Sequence, residues 1–294
     1  MFRKLRDFLE LIRFSHTLFA MPFALLSAAM AWADGVRADP PVRFRWQDLV
    51  GLLLCMVTAR SAAMAFNRLA DRHLDALNPR TANRHLVTGR LTPAGVWAFT
   101  IFCSLGFVAS TALFLPNRWP IYGAVPVLLF LFGYSYTKRF TVLSHFWLGA
   151  ALMLAPIAAW VAIRAEWAWA PVVLGAAVLL WVAGFDILYA CQDVEFDRRM
   201  HLYSIPAHFG VPAALQLAKL CHAAMVLLLI GLPAVFPLFG QIFYTGLLII
   251  GTLLAYEHAI VRPDDLSRVN QAFFHVNAVV GLGLLAVGLA DLWW

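Results

Sequence analysis

The sequence predicts an all-α polytopic membrane protein with nine transmembrane helices. Three observations support this prediction. Of the 294 residues, 62% are hydrophobic and only 13% are charged, whereas an average soluble domain is about 25% charged. The mean hydropathy is +0.77, and the apolar runs reach the roughly 20 residues that a spanning helix needs. A soluble globule and a disordered chain are therefore excluded.

The first four apolar runs lie in the amino-terminal half of the chain. The run at 14–33 follows a charged segment, in which Asp7 and Glu10 argue against a cleaved signal peptide. The next three runs occupy 46–66, 93–115 and 120–136, and the fourth is the shortest. None of them shows the polar–apolar alternation of an outer-membrane barrel strand, so each is predicted to be a helix.

Five further runs complete the predicted bundle. They occupy 144–163, 169–190, 211–233, 241–258 and 271–293. The sequence ends on Trp293 and Trp294, an aromatic pair that suits the membrane–water interface. The four cysteines form no CxxC pair, so we interpret them as small buried residues and not as metal ligands or disulfides. The whole of 1–294 is expected to form a single domain.

The distribution of Lys and Arg orients the bundle. The amino-terminal segment and the four loops on its side of the membrane carry 15 of the 22 basic residues, and the opposite side carries 5. By the positive-inside rule, the amino terminus faces the cytoplasm and Trp294 lies outside. The net charge of +6 is therefore explained by topology, and no nucleic-acid partner is expected.

Acidic residues concentrate in two short windows, 67–92 and 186–210, each after a predicted span. In the first window, Asn67, Asp71 and Asp75 recur every four residues. If the second span continues as a helix, their oxygens share one face, and the neighbouring carboxylates repel each other. A divalent cation removes this repulsion, and carboxylate and amide oxygens are ligands that Mg²⁺ accepts. The window therefore predicts a magnesium site.

The second window repeats the spacing with Asp193 and Asp197. Asp186 and Tyr189 fall on the same helix face, whereas Glu195 points away from it. Asp186 lies deepest in its apolar run, and an intramembrane carboxylate is a functional candidate. Either window alone would fit a solvated, charge-mixed helix end. Two windows with one spacing on one side of the membrane favour a functional site.

Basic side chains near the windows complete a predicted diphosphate site. Arg80 and Arg84 follow the first acidic pair, and Lys138 and Arg139 occupy the next loop on the same side. Metal ions bridge carboxylates to a diphosphate, while Arg and Lys bind its remaining oxygens. Among nine scattered histidines, only His16 is placed near the site. Six others are assigned to loops or to the interface: His73, His85, His145, His201, His208 and His258.

A transporter or channel is the competing functional class, because intramembrane acids also mark ion pathways. That class predicts carboxylates near the membrane midplane and inverted repeats with broken helices. In this chain the acids lie mostly at span ends on one side, and no inverted repeat is evident. An enzyme is therefore favoured over a transporter.

The two windows resemble the aspartate-rich motifs of the UbiA superfamily of intramembrane aromatic prenyltransferases. Asn67, Asp71 and Asp75 match its NxxxDxxxD pattern, and Asp193 with Asp197 matches its DxxxD pattern. The span count and orientation agree as well, so the resemblance covers nearly the whole chain. Two other segments match the family, at 78–84 and 137–139. Five more resemble one branch of the family, at 16–24, 60–68, 184–189, 192–197 and 256–258.

That branch is labelled 4-hydroxybenzoate polyprenyltransferase and includes the prenyltransferase of the futalosine route to menaquinone. The resemblance implies transfer of a polyprenyl group from polyprenyl diphosphate to 4-hydroxybenzoate or 1,4-dihydroxy-6-naphthoate, in ubiquinone or menaquinone biosynthesis. Arg68 stands where the ubiquinone enzymes commonly carry Asp, so the acceptor stays open. A haem, chlorin or lipid acceptor is the alternative within the same chemistry.

The resemblance also implies nine helices around a central cavity, in the prokaryotic inner membrane, with both motif loops capping the cavity on the cytoplasmic side. Mg²⁺ would be held by Asp71, Asp75, Asp193 and Asp197, with Asn67 as a further oxygen donor. Arg84 and Lys138, with Arg80 and Arg139, would neutralise the diphosphate. Four residues complete the expected site: Asp186 as base or acceptor-orienting group, Tyr189 beside the allylic cation, Arg13 on the acceptor carboxylate and His16 facing the site.

Overall fold

The structure is a computed structural model that describes residues 7–8, 10–11, 20–266, 268–269 and 276–294. Within these ranges every regular element longer than an isolated bridge is a helix, which confirms the all-α prediction. The α-helices, numbered in chain order, are α1 (Met21–Gly35), α2 (Trp46–Ala70), α3 (Arg72–Leu77), α4 (Pro93–Thr111), α5 (Trp119–Thr137), α6 (Ser144–Arg164), α7 (Trp169–Ala190), α8 (Val194–Arg199), α9 (Ile205–Phe209), α10 (Val211–Val235), α11 (Gln241–Ile260) and α12 (Asn277–Trp293). Short 3₁₀ helices follow α4 at Ala112–Phe114 and α7 at Cys191–Asp193.

Seven helical segments in the described ranges are long and apolar enough to cross a membrane. They are Trp46–Ala70, Pro93–Phe114, Trp119–Thr137, Ser144–Arg164, Trp169–Arg199, Val211–Val235 and Gln241–Ile260. The helices that correspond to the first and last predicted spans are shorter, with 15 residues in α1 and 17 in α12. Each begins two residues after a stretch outside the described ranges, and the count of nine spans and the orientation stay predictions.

Local sequence explains where several helices begin and end. Pro93 opens α4, and the hydroxyl of the preceding Thr92 accepts the N–H of Gly95 at 3.2 Å. A proline at this position loses no helical hydrogen bond, because the first N–H groups have no partner within the helix. At the carboxyl end of α6, Ala165 adopts a left-handed conformation with φ of 56°, and the helix ends there.

One compact unit comprises Met1–Thr17 and Arg45–Tyr136. Its core lies where α2 meets α4 and α5, around the fully buried Ala62. Near the end of α2, the Phe66 ring stacks on Phe132 of α5 with centroids 4.4 Å apart. This packing fixes the segment of α2 from which the first acidic motif continues.

The other unit comprises Leu18–Phe44 and Thr137–Trp294. Its central helix is α7, which packs against α6 and α10 and buries Trp181 completely. Helices α6 and α7 approach closely at Gly149, where an added Cβ would meet the backbone carbonyl of Leu179. The second acidic motif follows directly from the end of this central helix.

A buried polar network joins four helices of this second unit. The indole N–H of Trp181 donates to Oδ1 of Asn277 at 2.7 Å, and Nδ2 of Asn277 donates to Oε1 of Glu257 at 3.0 Å. On its other side, Nε2 of His222 donates to the Trp181 carbonyl oxygen at 3.2 Å, and Nε2 of His258 lies 3.0 Å from Nδ1 of His222. Because polar groups inside a bilayer need internal partners, this network holds α7, α10, α11 and α12 together.

Candidate active site

The first acidic motif lies where α2 passes into α3. Helical hydrogen bonds continue across the junction, because the N–H of Asp71 donates to the carbonyl of Asn67 at 2.9 Å and that of Asp75 to Asp71 at 2.8 Å. The Asn67 side chain also donates from Nδ2 to Oδ2 of Asp71 at 2.9 Å. Helix α3 ends at Leu77, two residues before Pro79. The sequence prediction of one continuous helix is therefore met only in part, because α2 ends at Ala70, Asp71 leaves the helical conformation with ψ of 6°, and α3 begins at Arg72. The stop before Pro79 is as predicted.

Asp75 is held by Arg84 in a short ion pair. Nη1 of Arg84 lies 2.5 Å from Oδ1 and 2.6 Å from Oδ2 of Asp75, a carboxylate that is only 7% exposed. Turns brought about by Asn78 and Thr81 return the chain to this point, since the Thr81 hydroxyl donates to the Asp75 carbonyl at 3.0 Å. The sequence predicts Arg84 on the diphosphate, and the structure places it on Asp75. A guanidinium has five N–H donors, and only Nη1 of Arg84 contacts Asp75, so other donors stay available for a diphosphate.

Two residues of α2 and α5 lie outside the predicted set of site residues. Ser135 carries no sequence signal, whereas Arg60 is a charged residue inside the apolar run 46–66. Ser135 is 5% exposed, and its hydroxyl lies 3.4 Å from Nδ2 of Asn67. Arg60 precedes Asn67 by seven residues, which places it on the same helix face about 10 Å deeper along α2. Its Nε is buried and finds no hydrogen-bond acceptor among the described residues. A half-buried intramembrane arginine with an unused, buried donor is a candidate for binding an anion.

The second acidic motif does not continue α7 as one regular helix. A 3₁₀ turn at Cys191–Asp193 separates α7 from α8. Asp193 and Asp197 are nevertheless both buried, at 6% and 2% exposure, whereas Glu195 is exposed. The prediction that Glu195 points away from the other two is consistent with this burial.

Asp197 occupies the most enclosed position of the motif. The Ser204 hydroxyl hydrogen-bonds its side chain, and Lys138, Asp193 and His145 are its charged or ionisable neighbours. Its Oδ2 atom is buried and has no hydrogen-bond partner within the described part of the chain. An unpaired buried carboxylate oxygen is unfavourable unless a cation compensates it, so this atom fits a metal ligand.

The segment from Leu202 to Ile205, called the 202–205 strap below, ties several site elements together. The N–H of Leu202 donates to the Asp197 carbonyl at 2.8 Å, and that of Tyr203 donates to the Lys138 carbonyl at 2.7 Å. The N–H of Ile205 donates to a histidine ring nitrogen at 3.4 Å. The strap thus fixes the backbone positions of one acidic and one basic site residue.

That histidine is His145, and it pairs with Asp186. Nδ1 of His145 lies 2.7 Å from Oδ2 of Asp186, and the His145 side chain is completely buried. The assignment of His145 to a loop or to the interface is therefore wrong. Its position in α6 gives no signal of this pairing, because the partner lies 41 residues away on α7. The structure brings them together through helix packing.

The remaining predicted site residues differ in their surroundings. Arg80 and Arg139 are exposed, and Tyr189 is half-buried against the apolar cluster at the end of α7. Arg13 and His16 lie outside the described residues, so their predicted contacts stay predictions.

A further group of ligand-type side chains includes none of the motif residues. Single ligand atoms of Asp7, Glu10 and His85 lie within 4.8 Å of one another in the first unit. The Glu10 side chain is 42% exposed, and it lies 3.1 Å from Nε2 of His85. The sequence pattern does not predict this group, because His85 lies 75 residues from Glu10 in the chain.

Comparison with known sequences gives a consistent result. The model of the UbiA prenyltransferase family matches residues 20–279. A 4-hydroxybenzoate octaprenyltransferase of Saccharophagus degradans is 35% identical over 248 residues, which cover 82% of this chain and 80% of that protein. One from Vibrio vulnificus is 31% identical, covering 85% of this chain and 86% of that protein.

Solved structures agree with the sequence comparison. A UbiA homolog from Aeropyrum pernix K1, solved in the apo state, superposes with a TM-score of 0.81 at 32% identity, covering 94% of this chain and 98% of that one. A UbiA homolog from Archaeoglobus fulgidus, bound to DMAPP and Mg²⁺, gives a TM-score of 0.71 at 21% identity, with 98% and 99% coverage. The second likeness is one of fold.

Proposed function

Since this chain belongs to the UbiA prenyltransferase family, and is thus an integral membrane transferase, we propose that it prenylates an aromatic acid. The polyprenyl group comes from polyprenyl diphosphate, and the acceptor is 4-hydroxybenzoate or 1,4-dihydroxy-6-naphthoate, for respiratory quinone biosynthesis. The observation that carries the proposal is the pair of acidic motifs, each with a buried carboxylate beside a basic side chain. We further propose that the site faces the cytoplasm, at the inner membrane of a prokaryote.

Mg²⁺ fits the donor set of the two motifs. We assign it to Asp71, Asp75, Asp193 and Asp197, with the side-chain amide oxygen of Asn67 as a further donor. The buried, unpaired Oδ2 of Asp197 supports this assignment, as does the Mg²⁺ bound with DMAPP in the A. fulgidus homolog. When bound, Mg²⁺ offsets the negative charge that develops on the departing diphosphate.

The chain's own residues then act on the leaving group and on the ring. Lys138 and Arg84, with Arg80 and Arg139, bind the diphosphate oxygens while the allylic C1–O bond breaks and its electron pair stays on the diphosphate. A ring carbon of the acceptor bonds to C1, and Asp186 takes the proton that the ring loses. Tyr189 lies on the same helix face, where its π-system favours the transient cation.

The acceptor's carboxylate needs a cationic partner inside the membrane. Arg60 supports such a role, because its Nε is buried without an acceptor among the described residues and a guanidinium binds a carboxylate through parallel hydrogen bonds. Arg13 remains a second candidate, from the sequence alone. The names of the bacterial relatives favour 4-hydroxybenzoate as the acceptor. The branch that the sequence resembles also includes a menaquinone enzyme, so 1,4-dihydroxy-6-naphthoate stays a candidate acceptor. Because the family is one of transferases, the transporter alternative is set aside.

A direct assay tests the proposal. Washed membranes with the expressed protein receive a labelled polyprenyl diphosphate, Mg²⁺ and either 4-hydroxybenzoate or 1,4-dihydroxy-6-naphthoate. We expect prenylated product with one of the two acceptors, loss of product with EDTA, and recovery when Mg²⁺ is added back. Lack of product with both acceptors, at confirmed expression, would contradict the acceptor class. Product formation that EDTA leaves unchanged would contradict the metal assignment.

Arg60→Gln should weaken binding of the acceptor specifically. Loss of a hydrogen-bonded ionic contact costs about 1.5–3 kcal/mol, so we expect the KM for the aromatic acid to rise by about 10- to 100-fold. The KM for polyprenyl diphosphate should change little. Arg43→Gln, at an exposed connector residue, is the matched control. An unchanged acceptor KM in Arg60→Gln would remove Arg60 from the acceptor site.

A further inference from the structure

His145 is fully enclosed and has a defined partner on each ring nitrogen. The backbone N–H of Ile205 donates to Nε2 at 3.4 Å, and Oδ2 of Asp186 lies 2.7 Å from Nδ1. None of the His145 side-chain surface is exposed, whereas the Asp186 side chain keeps 16% of its surface accessible. The imidazole is therefore fully enclosed by protein, whereas the carboxylate keeps a surface that a substrate can reach.

These two contacts fix the protonation of the imidazole. Nε2 accepts a hydrogen bond from a backbone N–H, so it carries no proton in this arrangement. The neutral ring must then carry its proton on Nδ1, and that proton points at Asp186. His145 is thus a hydrogen-bond donor to the carboxylate. It has no vacant position at Nε2 from which to pass a proton onward.

We propose that His145 is a positioning residue that holds Asp186 in the orientation needed to accept the ring proton, an inference that rests on the proposed function. The hydrogen bond fixes Oδ2 against α6, which restricts the carboxylate to one rotamer and presents its other oxygen to the acceptor. After C1 bonds to the ring carbon, the C–H electron pair restores the aromatic ring and the proton passes to Asp186. The protonated carboxyl group then releases that proton to water.

The 202–205 strap links this arrangement to the diphosphate side of the same unit. Ile205 anchors His145, while the adjacent Ser204 hydrogen-bonds Asp197 and Tyr203 binds the Lys138 carbonyl. Four consecutive residues thus fix the base, through His145, together with residues assigned to the metal and the leaving group. The geometry of proton removal and that of diphosphate binding are set by one short segment.

Two amide substitutions separate the two contacts of His145. In His145→Asn the amide nitrogen occupies the place of Nδ1 and still donates to Asp186. In His145→Gln the longer amide reaches the place of Nε2 and meets Ile205 instead. The assay measures prenylated ring and released diphosphate together, because a cation that is not captured by the ring reacts with water to give polyprenol. This ratio does not depend on how much of each variant folds.

We expect His145→Asn to keep the ratio of ring product to diphosphate close to that of the parent protein. His145→Gln should lower this ratio by about tenfold, the effect expected when one hydrogen bond to a charged group is lost. The exposed His208, changed to Asn, is the control. Equal ratios in the two His145 variants, or a lower ratio in His145→Asn, would overturn the inference. Failure of the proposed function gives a different result, since the parent protein itself would then form no ring product.

Discussion

Asp197→Asn is expected to lower prenyl transfer by about 1,000-fold, the scale seen when a preorganised charge-stabilising group is removed. The side chain is 2% exposed, and its Oδ2 is buried without a hydrogen-bond partner in the described ranges. Asparagine keeps the shape and the contact to Ser204, but it removes the negative charge that a metal ion requires. The rate of product formation in membranes, normalised to the amount of inserted protein, is the measurement.

The neighbouring Glu195 provides a matched control for this substitution. It lies on the same short helix, two residues earlier, and its side chain is exposed. Glu195→Gln removes the same charge and should leave the rate within about twofold, since exposed changes away from special features have small effects. If Asp197→Asn retains a rate within tenfold of the parent, Asp197 is not a metal ligand.

Gly149→Ala is expected to give the largest loss of stability among single methyl additions. The added Cβ would meet the backbone carbonyl of Leu179, at the contact between α6 and α7. A flexible side chain can move aside, but helix backbone cannot, so the two helices must separate. Overpacking of this kind costs about 1–3 kcal/mol or more. We expect the thermal unfolding midpoint in detergent to fall by about 5 °C or more.

Gly251 is the control for this experiment. It also lies within a helix of the same unit, and nothing lies within 4 Å of a Cβ added there. Gly251→Ala should match or slightly exceed the parent in stability, because alanine favours helix over glycine. A Gly149→Ala midpoint equal to that of Gly251→Ala would show that the close contact between α6 and α7 does not limit the packing.

Most of the helical architecture is predictable because bilayer thickness imposes a length and a composition on each span. The predicted run 169–190 coincides with α7, and 46–66 lies within α2. Three of the four cysteines are buried, as the sequence predicts, whereas Cys55 is half-buried. The count of nine spans, the orientation and the single domain stay predictions.

The details of the site depend on contacts that periodicity does not encode. A four-residue spacing predicts a shared helix face, and backbone N–H groups do bond four residues back at Asp71 and Asp75, but the helix itself breaks at Asp71. The same spacing does not predict the 3₁₀ turn before Asp193. The pairing of Asp186 with His145 depends on how α6 packs against α7, and single-sequence patterns contain no such information. Arg84 contacts Asp75 because a chain of turns reverses the loop between them.

The polar network around Glu257 has a consequence for biogenesis. Asn277, which donates to the buried Glu257 carboxylate, follows it by 20 residues and lies on α12. A ribosome therefore delivers α11 to the bilayer before it has made the amide that satisfies this acid. Until α12 packs against α11, the Glu257 side chain lacks this hydrogen-bond donor, which is energetically unfavourable inside the membrane. A nascent chain interrupted ahead of Asn277 would thus keep Glu257 without this hydrogen-bond donor, and the packing of α12 against α11 is the step that completes the polar network.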